Sequence, residues 1–398
     1  MNSKVGHITD PGYITSHFVT GYKYRVINFL ISLNIFRIAF AAYRNPYIAF
    51  RTLAALIKKK KVILGDLTSL KFIRSSGRYF RAISRPGWPS LSFDHFIQNE
   101  LNKIRPFRAG NNHLQTMIFS ITSRCQLKCD HCYEWNNLAS NETLSLIELT
   151  EILNKFQIYG ISNIQLSGGE PLNRFNDLIE LLRSAKPGSD FWILTSGYEL
   201  TLEKARELKE AGLTGVVISL DHWKEELHNR FRKNNNSYKW VMDAARHALE
   251  VDMVVAFSLC AMKDFVTEEN LERYLRLAKD SGAGFVRILE PREVGHFAGK
   301  KIELENEQIE ILKRFYFKSN SDPSYKEMPL VMYPGYHQRI YGCFGAGNRY
   351  LYVDSVGDLH ACPFCQDKIG NALSDDLDKA IAKMKRRGCH KFETKSED

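Results

Sequence analysis

Met117-Ile118-Phe119-Ser120-Ile121-Thr122-Ser123-Arg124-Cys125-Gln126-Leu127-Lys128-Cys129-Asp130-His131-Cys132 is the stretch on which the fold turns. Its apolar opening reads as a buried strand, and three thiols then follow within eight residues. One reading is three ligands of a tetrahedral zinc site, with His131 or a distant residue as the fourth. The C-x3-C-x2-C spacing differs from the paired C-x2-C of structural zinc. It suits a loop wrapped round a [4Fe–4S] cubane, with three thiolates on three irons and the fourth iron open to something other than protein.

Outward from this stretch, short β-rich runs alternate with helical ones. The candidate strands are 117–122, 163–166, 191–194, 215–220, 254–259 and 285–289. The intervening 144–159 places Leu146, Leu149, Ile152, Leu153 and Phe156 on one helical face, with Gly160 as its stop. Six such units predict an α/β fold with a parallel sheet, open or curled into a partial barrel, and put chemistry in the loops after the strand ends. The loop after the second strand is Ser167-Gly168-Gly169-Glu170-Pro171. A glycine turn leading to a proline-started helix explains it by itself. Paired glycines also admit a ligand close to the backbone, and Glu170 is able to accept from a ligand ammonium.

Together the two loops resemble the radical S-adenosylmethionine (radical SAM) superfamily, in which a three-cysteine motif and a GGE motif follow the first and second strands of a partial (βα)6 TIM-like barrel. The resemblance implies that Cys125, Cys129 and Cys132 ligate the cluster, that His131 borders the adenine, and that Gly168, Gly169 and Glu170 hold the methionyl amino group. It further implies that SAM chelates the open iron and, on one-electron reduction, yields a 5′-deoxyadenosyl radical that abstracts a substrate hydrogen. Thr195-Ser196-Gly197 stands where relatives often have Thr-Asn-Gly near the ribose, which makes Ser196 a candidate. Ser219-Leu220-Asp221 with His228 to Arg232 resembles the pattern near the SAM carboxylate, with Ser219 and Arg232 at the matched positions. Glu290 and His296, in the expected exit of the sixth strand, are the candidates to face substrate. Cys260 ends the fifth candidate strand and reads as core.

Beyond the candidate barrel, 350–353 and 358–361 read as a hairpin and 374–387 as a helix. Cys343, Cys362, Cys365 and Cys389 remain for one site, the number that closes a cluster or a zinc. Cys343, thirteen residues, Gly357, four residues and Cys362, followed by Ile369-Gly370-Asn371, resemble the opening of the SPASM/Twitch extension. The further cysteines of a full SPASM domain are lacking, so the resemblance implies one auxiliary [4Fe–4S] cluster. Such a cluster accepts the electron left after hydrogen abstraction or binds substrate, favouring oxidative chemistry.

The N-terminal third has another composition. The chain has 398 residues and a formal charge of +10, yet residues 1–110 hold 18 Lys and Arg against 4 Asp and Glu, leaving 37 against 41 for the rest. Residues 24–57 read as dense apolar helix interrupted by Pro46, and Arg37, Arg44, Arg51 and Lys58 recur every seven residues as a basic stripe opposite an apolar face. Arg37 argues against a membrane span. Packing on the main domain, or lying in a membrane interface, are the two expectations, and a nucleic-acid surface ranks below both. Pro86 to Pro89 and Arg105 to Phe107 look like a linker. With no cleavable signal and clustered cysteines, a reducing, cytoplasmic setting is expected, with peripheral contact at the inner face of the membrane as the further expectation.

The expected organisation is therefore a basic helical extension (1–110), a radical SAM partial barrel (111–330) and a small SPASM/Twitch-like Fe–S domain (331–398). The expected activity is oxidative modification of a lipid or membrane-associated metabolite. A ribosomal-peptide maturase and a zinc-stabilised scaffold are the alternatives. S-adenosylmethionine and a small electron donor such as flavodoxin or ferredoxin are the expected partners, with no nucleic acid.

Overall fold

The computed structural model describes residues 17–64, 71–108, 114–139, 141–343, 345–389 and 391–392. The N-terminal part runs through β1 (His17–Val19), α1 (Gly21–Tyr43), α2 (Pro46–Leu64), β2 (Phe72–Ser75), β3 (Arg78–Phe80) and α3 (Leu91–Ile104). Pro46 opens α2, where a missing N–H is harmless, and Arg44 adopts the left-handed conformation (φ 50°) that closes α1. Strands β1, β2 and β3 form an antiparallel sheet, which corrects the purely helical extension expected over 1–110. Runs of three or four residues are too short for alternation to reveal them.

The barrel follows as β4 (Thr116–Ser120), α4 (Leu146–Ile158), β5 (Asn163–Ser167), α5 (Phe175–Ser184), β6 (Asp190–Thr195), α6 (Leu202–Glu210) and β7 (Leu213–Ser219). It continues with α7 (Glu225–Arg232), α8 (Ser237–Glu250), β8 (Val254–Cys260), α9 (Glu268–Asp280), β9 (Phe285–Leu289), α10 (Asn306–Ser321) and β10 (Leu330–Met332). Seven strands, β4 to β10, pair in parallel in sequence order, one more than the six units expected. The helices form where the sequence caps them. Ser145 accepts from the Glu148 N–H while the Glu148 carboxylate takes the Ser145 N–H, a reciprocal box that starts α4.

The two faces of this sheet bury different residues. Phe119, Leu166, Ile193, Ile218, Phe257 and Ile288 pack outward with the helices, including Leu149, Ile152, Leu153 and Phe156 of α4. Trp192, Val217, Val254, Ala256, Phe285 and Leu330 point inward and join Ile73, Phe80 and Ile83 of the N-terminal part in a second cluster. The small N-terminal sheet thus plugs the barrel. Its polar contacts all fall where strands begin: Arg78 pairs with Asp190, Asn163 Nδ2 donates to Ile83 O at 3.0 Å, and Ser75 Oγ donates to Asp252 O at 2.8 Å. Pro86 to Pro89 is part of this plug, not a linker: Trp88 pairs with Tyr79, and Gly87 N donates to Asp190 Oδ2 at 3.2 Å.

The remaining elements are α11 (Pro334–Tyr341), β11 (Tyr350–Val353), β12 (Asp358–His360), β13 (Gly370–Asn371) and α12 (Leu377–Arg387). A boundary at 330/331 would cut β10, and β11 pairs in parallel with β4 from Tyr350↔Thr116 to Val353↔Phe119. The C-terminal segment is therefore an extension of the barrel sheet, because the β4 edge would otherwise leave its backbone groups unpaired.

Candidate active site

The loop carrying Cys125, Cys129 and Cys132 leaves the C-terminal end of β4. Two neighbouring loops fix its path. Gly169 N donates to Thr122 O and Glu170 N to Arg124 O, both at 2.8 Å. A Cβ on Gly168 would stand 2.4 Å from Thr122 O, and one on Gly169 would stand 2.3 Å from Arg124 O, so only glycine lets these loops touch. On the other side, His296 N donates to Cys132 O at 2.9 Å, and a Cβ on Gly295 would lie 2.2 Å from that same oxygen.

Cys125 feels the charge of Cys129 and Cys132, and Cys132 that of Cys129, while burial pushes Cys125 and Cys132 up to about 12 and raises Cys129. Among the described residues, no three His, Cys, Asp or Glu side chains close around one metal ion. A mononuclear zinc, with Zn–S about 2.3 Å, would draw its thiolates to within about 4 Å of one another. A cubane takes one thiolate per iron and spreads them. A set of three thiols on one loop, held by glycine contacts and, among the described residues, not grouped around a single ion, fits a [4Fe–4S] cluster.

Around the thiols lies a buried charge network. Arg232 Nε donates to Asp221 Oδ2 at 2.6 Å, and Arg232 Nη1 lies 3.6 Å from Cys129 Sγ. Burial alone would push Asp221 up, but Arg232 holds it down to about 2. Asp221 N donates to His228 Nδ1, Cys260 N donates to Asp221 Oδ1, and His131 Nε2 stands 4.0 Å from that oxygen. His131 stacks on Phe231 with centroids 4.8 Å apart, its Nδ1 is buried without a hydrogen-bond partner, and burial lowers its pKa to about 4. A neutral ring beside an unpaired nitrogen suits contact with a base edge. Asp221 and His228 stood inside the motif that singled out Arg232, but their part in orienting it needed the fold.

The other sequence candidates land in different surroundings. Glu170 is fully buried, and its oxygens accept from Thr195 Oγ1 at 2.7 Å, Ser196 N at 2.8 Å and Ser196 Oγ at 2.6 Å. The Glu170 and Ser196 side chains are thus joined to each other, leaving backbone groups of the glycine loop for a ligand. Ser219 ends β7 in register with Ser258. Glu290 is corrected as a substrate-facing group: its carboxylate receives Arg339 through two bonds of 2.6 Å and Tyr333 Oη at 2.7 Å, tying β9 to α11. These donors hold its pKa down against the upward push of burial. His296 is corrected likewise, since it stacks on Trp135 at 4.0 Å and sets Nδ1 3.0 Å from Cys129 O, bracing the thiol loop.

Cys343, Cys362, Cys365 and Cys389 face one another. Cys343 is raised by its bond to Cys389, and Cys365 by its bonds to Cys362 and Cys389; the two acceptors are lowered. These four thiols therefore lie together, a donor set that fits a closed cluster, one thiolate to each iron, as at the first loop. It adjoins the first: Phe364 meets the Tyr133 ring edge-on at 6.0 Å, and Tyr133 follows Cys132 directly.

One residue of this region carried no role in the sequence. Across β4 to β10 only Asp190 and Arg287 are charged, and Asp190 is paired with Arg78 at the plug. Arg287 alternates with the outward Val286 and Ile288, donates through Nε to Ser258 Oγ at 3.2 Å, and lies near Tyr133. Burial pulls its guanidinium down to about 10, with only Tyr133 opposing. The signal was present in sequence: a lone arginine in an apolar strand.

Comparison with known proteins adds to this geometry. Residues 119–278 match the radical SAM superfamily. GTP 3′,8-cyclase of Aquifex aeolicus is 25% identical over 280 residues, covering 67% of this chain and 86% of that protein. Mycofactocin maturase MftC of Mycolicibacterium smegmatis is 27% identical over 286 residues, covering 68% and 71%. The probable GTP 3′,8-cyclase of Methanocella arvoryzae is 29% identical over 192 residues, 48% of this chain, and the match spans only 60% of that relative's length. Among solved structures, Streptococcus suis SuiB bound to precursor peptide SuiA gives a TM-score of 0.55 at 16% identity, covering 88% of this chain and 82% of that one. At that identity the likeness is one of fold, and it is to a mixed α/β partial barrel.

Proposed function

We propose, on the premise that this chain carries a radical SAM domain, that it is an enzyme removing a hydrogen atom from a polypeptide substrate held at the open end of the barrel. When bound, a [4Fe–4S] cluster with SAM supplies reductive cleavage of a sulfonium bond and, with it, a carbon radical able to take that hydrogen. Cys125, Cys129 and Cys132 would hold this cluster. Cys343, Cys362, Cys365 and Cys389 would hold an auxiliary cluster, whose chemistry is electron acceptance, consistent with an oxidative outcome. A ferredoxin- or flavodoxin-like protein would be the electron donor.

The chain's own residues orient and exclude. Asp221 fixes Arg232 so that a guanidinium edge stays beside Cys129, and Glu170 locks the glycine loop to Ser196. Arg287 carries the substrate assignment: a lone guanidinium on the inner strands matches one carboxylate. A triphosphate would bring several negative charges against that single cation, so the nucleotide named for the cyclase relatives suits this interior less well than a peptide carboxylate. The maturase relative and the peptide-bound structure point the same way. A lipid substrate would have to reach the thiol-bearing end, whereas the apolar α1 and α2 belong to the plugged end.

Cells lacking this protein, complemented with wild type or Arg287→Gln, provide the test through mass spectrometry of peptide and lipid extracts. The expectation is a modified peptide restored by wild type and reduced about a hundredfold by the variant, while purified Arg287→Gln still forms 5′-deoxyadenosine slowly without substrate. Restoration of a modified lipid, with peptides unchanged, would overturn the proposal.

A further inference from the structure

We propose that the α1–α2 hairpin is a docking face for an anionic lipid bilayer, lying in the interface without crossing it. Tyr22, Val26, Phe29, Leu33, Phe36 and Phe40 recur at alternating spacings of four and three along α1, which places them on one face, and each is at least 36% exposed. From Tyr22 to Phe40 that stripe extends about 27 Å. Helix α2 adds Tyr47 and Phe50, both 67% exposed. A soluble surface seldom leaves so long an apolar strip open.

The opposite face of α1 is already used. Ile38 and Ala39 are buried with Phe96, Ile97 and Leu101 of α3, and Arg37 pairs with Asp94 of α3 at 3.2 Å. Helix Gly21–Tyr43 is long and apolar enough to cross a membrane, and most of it is left unburied. Crossing would strip α1 from α3 and carry Arg37 into hydrocarbon, so only the exposed side is available to lipid.

Charge identifies the occupant. Residues 21–64 contain nine Lys and Arg and no Asp or Glu. Two copies placed face to face would set cation against cation with no acid between, which disfavours a dimer through this surface. Anionic headgroups meet the same cations favourably, at about a fivefold gain in binding for each one near the surface. The expected continuous basic stripe opposite the apolar face is corrected here. The break at Arg44 separates Arg37, held by Asp94, from Arg51 and Lys58, and Arg51 is exposed beside Phe50, so on α2 cation and aromatic share one side. That mixture places rings at acyl depth and cations at headgroup depth.

Flotation of the full-length protein with phosphatidylcholine vesicles containing about a third phosphatidylglycerol tests the proposal. Wild type is expected to float with them at least about tenfold more than with phosphatidylcholine alone. Phe29→Asp with Phe36→Asp should cut binding by about a hundredfold, and Arg51→Glu with Lys58→Glu by about tenfold. Both pairs are exposed, so their circular dichroism and melting should match wild type. Equal binding to neutral vesicles, no flotation, or flotation unchanged by the aspartate pair overturns it. So does a lipid-free dimer that the aspartate pair dissolves, which would assign the face to a second copy.

Discussion

The two ends of the barrel use the same seven strands for opposite purposes. Where the strands begin, Ile73, Phe80 and Ile83 enter the barrel and meet Trp192 and Phe285, with Phe80 edge-on to Trp192 at 6.3 Å. Where they end, three thiols, paired glycines, Asp221 and Arg232 line the loops, and Arg287 stands on the inner wall. The difference teaches that access is decided by what fills the barrel from one side. An apolar plug keeps water out below and stiffens the frame, so that the loops above can hold close backbone contacts and unpaired polar groups.

The largest expected effect breaks the open end. Cys129→Ala, or alanine at Cys125 or Cys132, should abolish 5′-deoxyadenosine formation and remove about four irons per chain from reconstituted protein. Iron analysis together with product chromatography reads both, and turnover at the wild-type rate would dissociate this loop from the chemistry. The thiols are raised by burial, so loading must release protons, and incorporation at the open end should weaken as pH falls.

Breaking the closed end should act on stability alone. Phe80→Ala leaves a cavity beneath Trp192 and is expected to cost about 3–5 kcal/mol, seen as a lower Tm, with SAM cleavage per folded molecule retained in the cold. Equal loss of cleavage would mean that the plug shapes the site as well as supporting it.

A smaller effect sharpens the picture of how the closed end is fastened. Glu100 of α3 contacts Lys103 at 2.9 Å and Arg349, just before β11, at 3.7 Å. Burial pushes its carboxyl up, but those cations bring it down from 4.5 to about 2. A folded pKa below the unfolded one gives stabilisation that is complete above about 4.5 and is lost as pH falls through about 2. Glu100→Gln should therefore lower stability near neutrality by roughly 2 kcal/mol. Acid titration followed by circular dichroism should show the gap to wild type closing below pH 4.5.

Much of this was legible in residue order. Strands β4 to β9 fall within a few residues of the apolar runs that announced them, because buried parallel strands concentrate branched and aromatic residues. The hairpin of β11 and β12 was likewise visible in its turn residues. Strands β1 to β3 and β10 were not, since three or four residues carry too little pattern. Glu290 and His296 were misread because a polar residue after a strand looks the same whether it faces substrate or braces a loop. Only the Arg339 and Trp135 contacts distinguish these cases.

The sequence by itself determined the thiol sets, the glycine pair, the βα alternation and the excess of cations before residue 110, since each is a matter of residue type and spacing. Tertiary structure alone decided that the N-terminal part plugs the barrel, that Glu170 is bound to Ser196, that Arg287 on the inner strands has no ion pair among the described residues, and that the apolar hairpin lies at the end away from the thiols. Those outcomes depend on which surfaces meet across hundreds of residues. Burial and charge pairing select among such meetings only once the chain has folded.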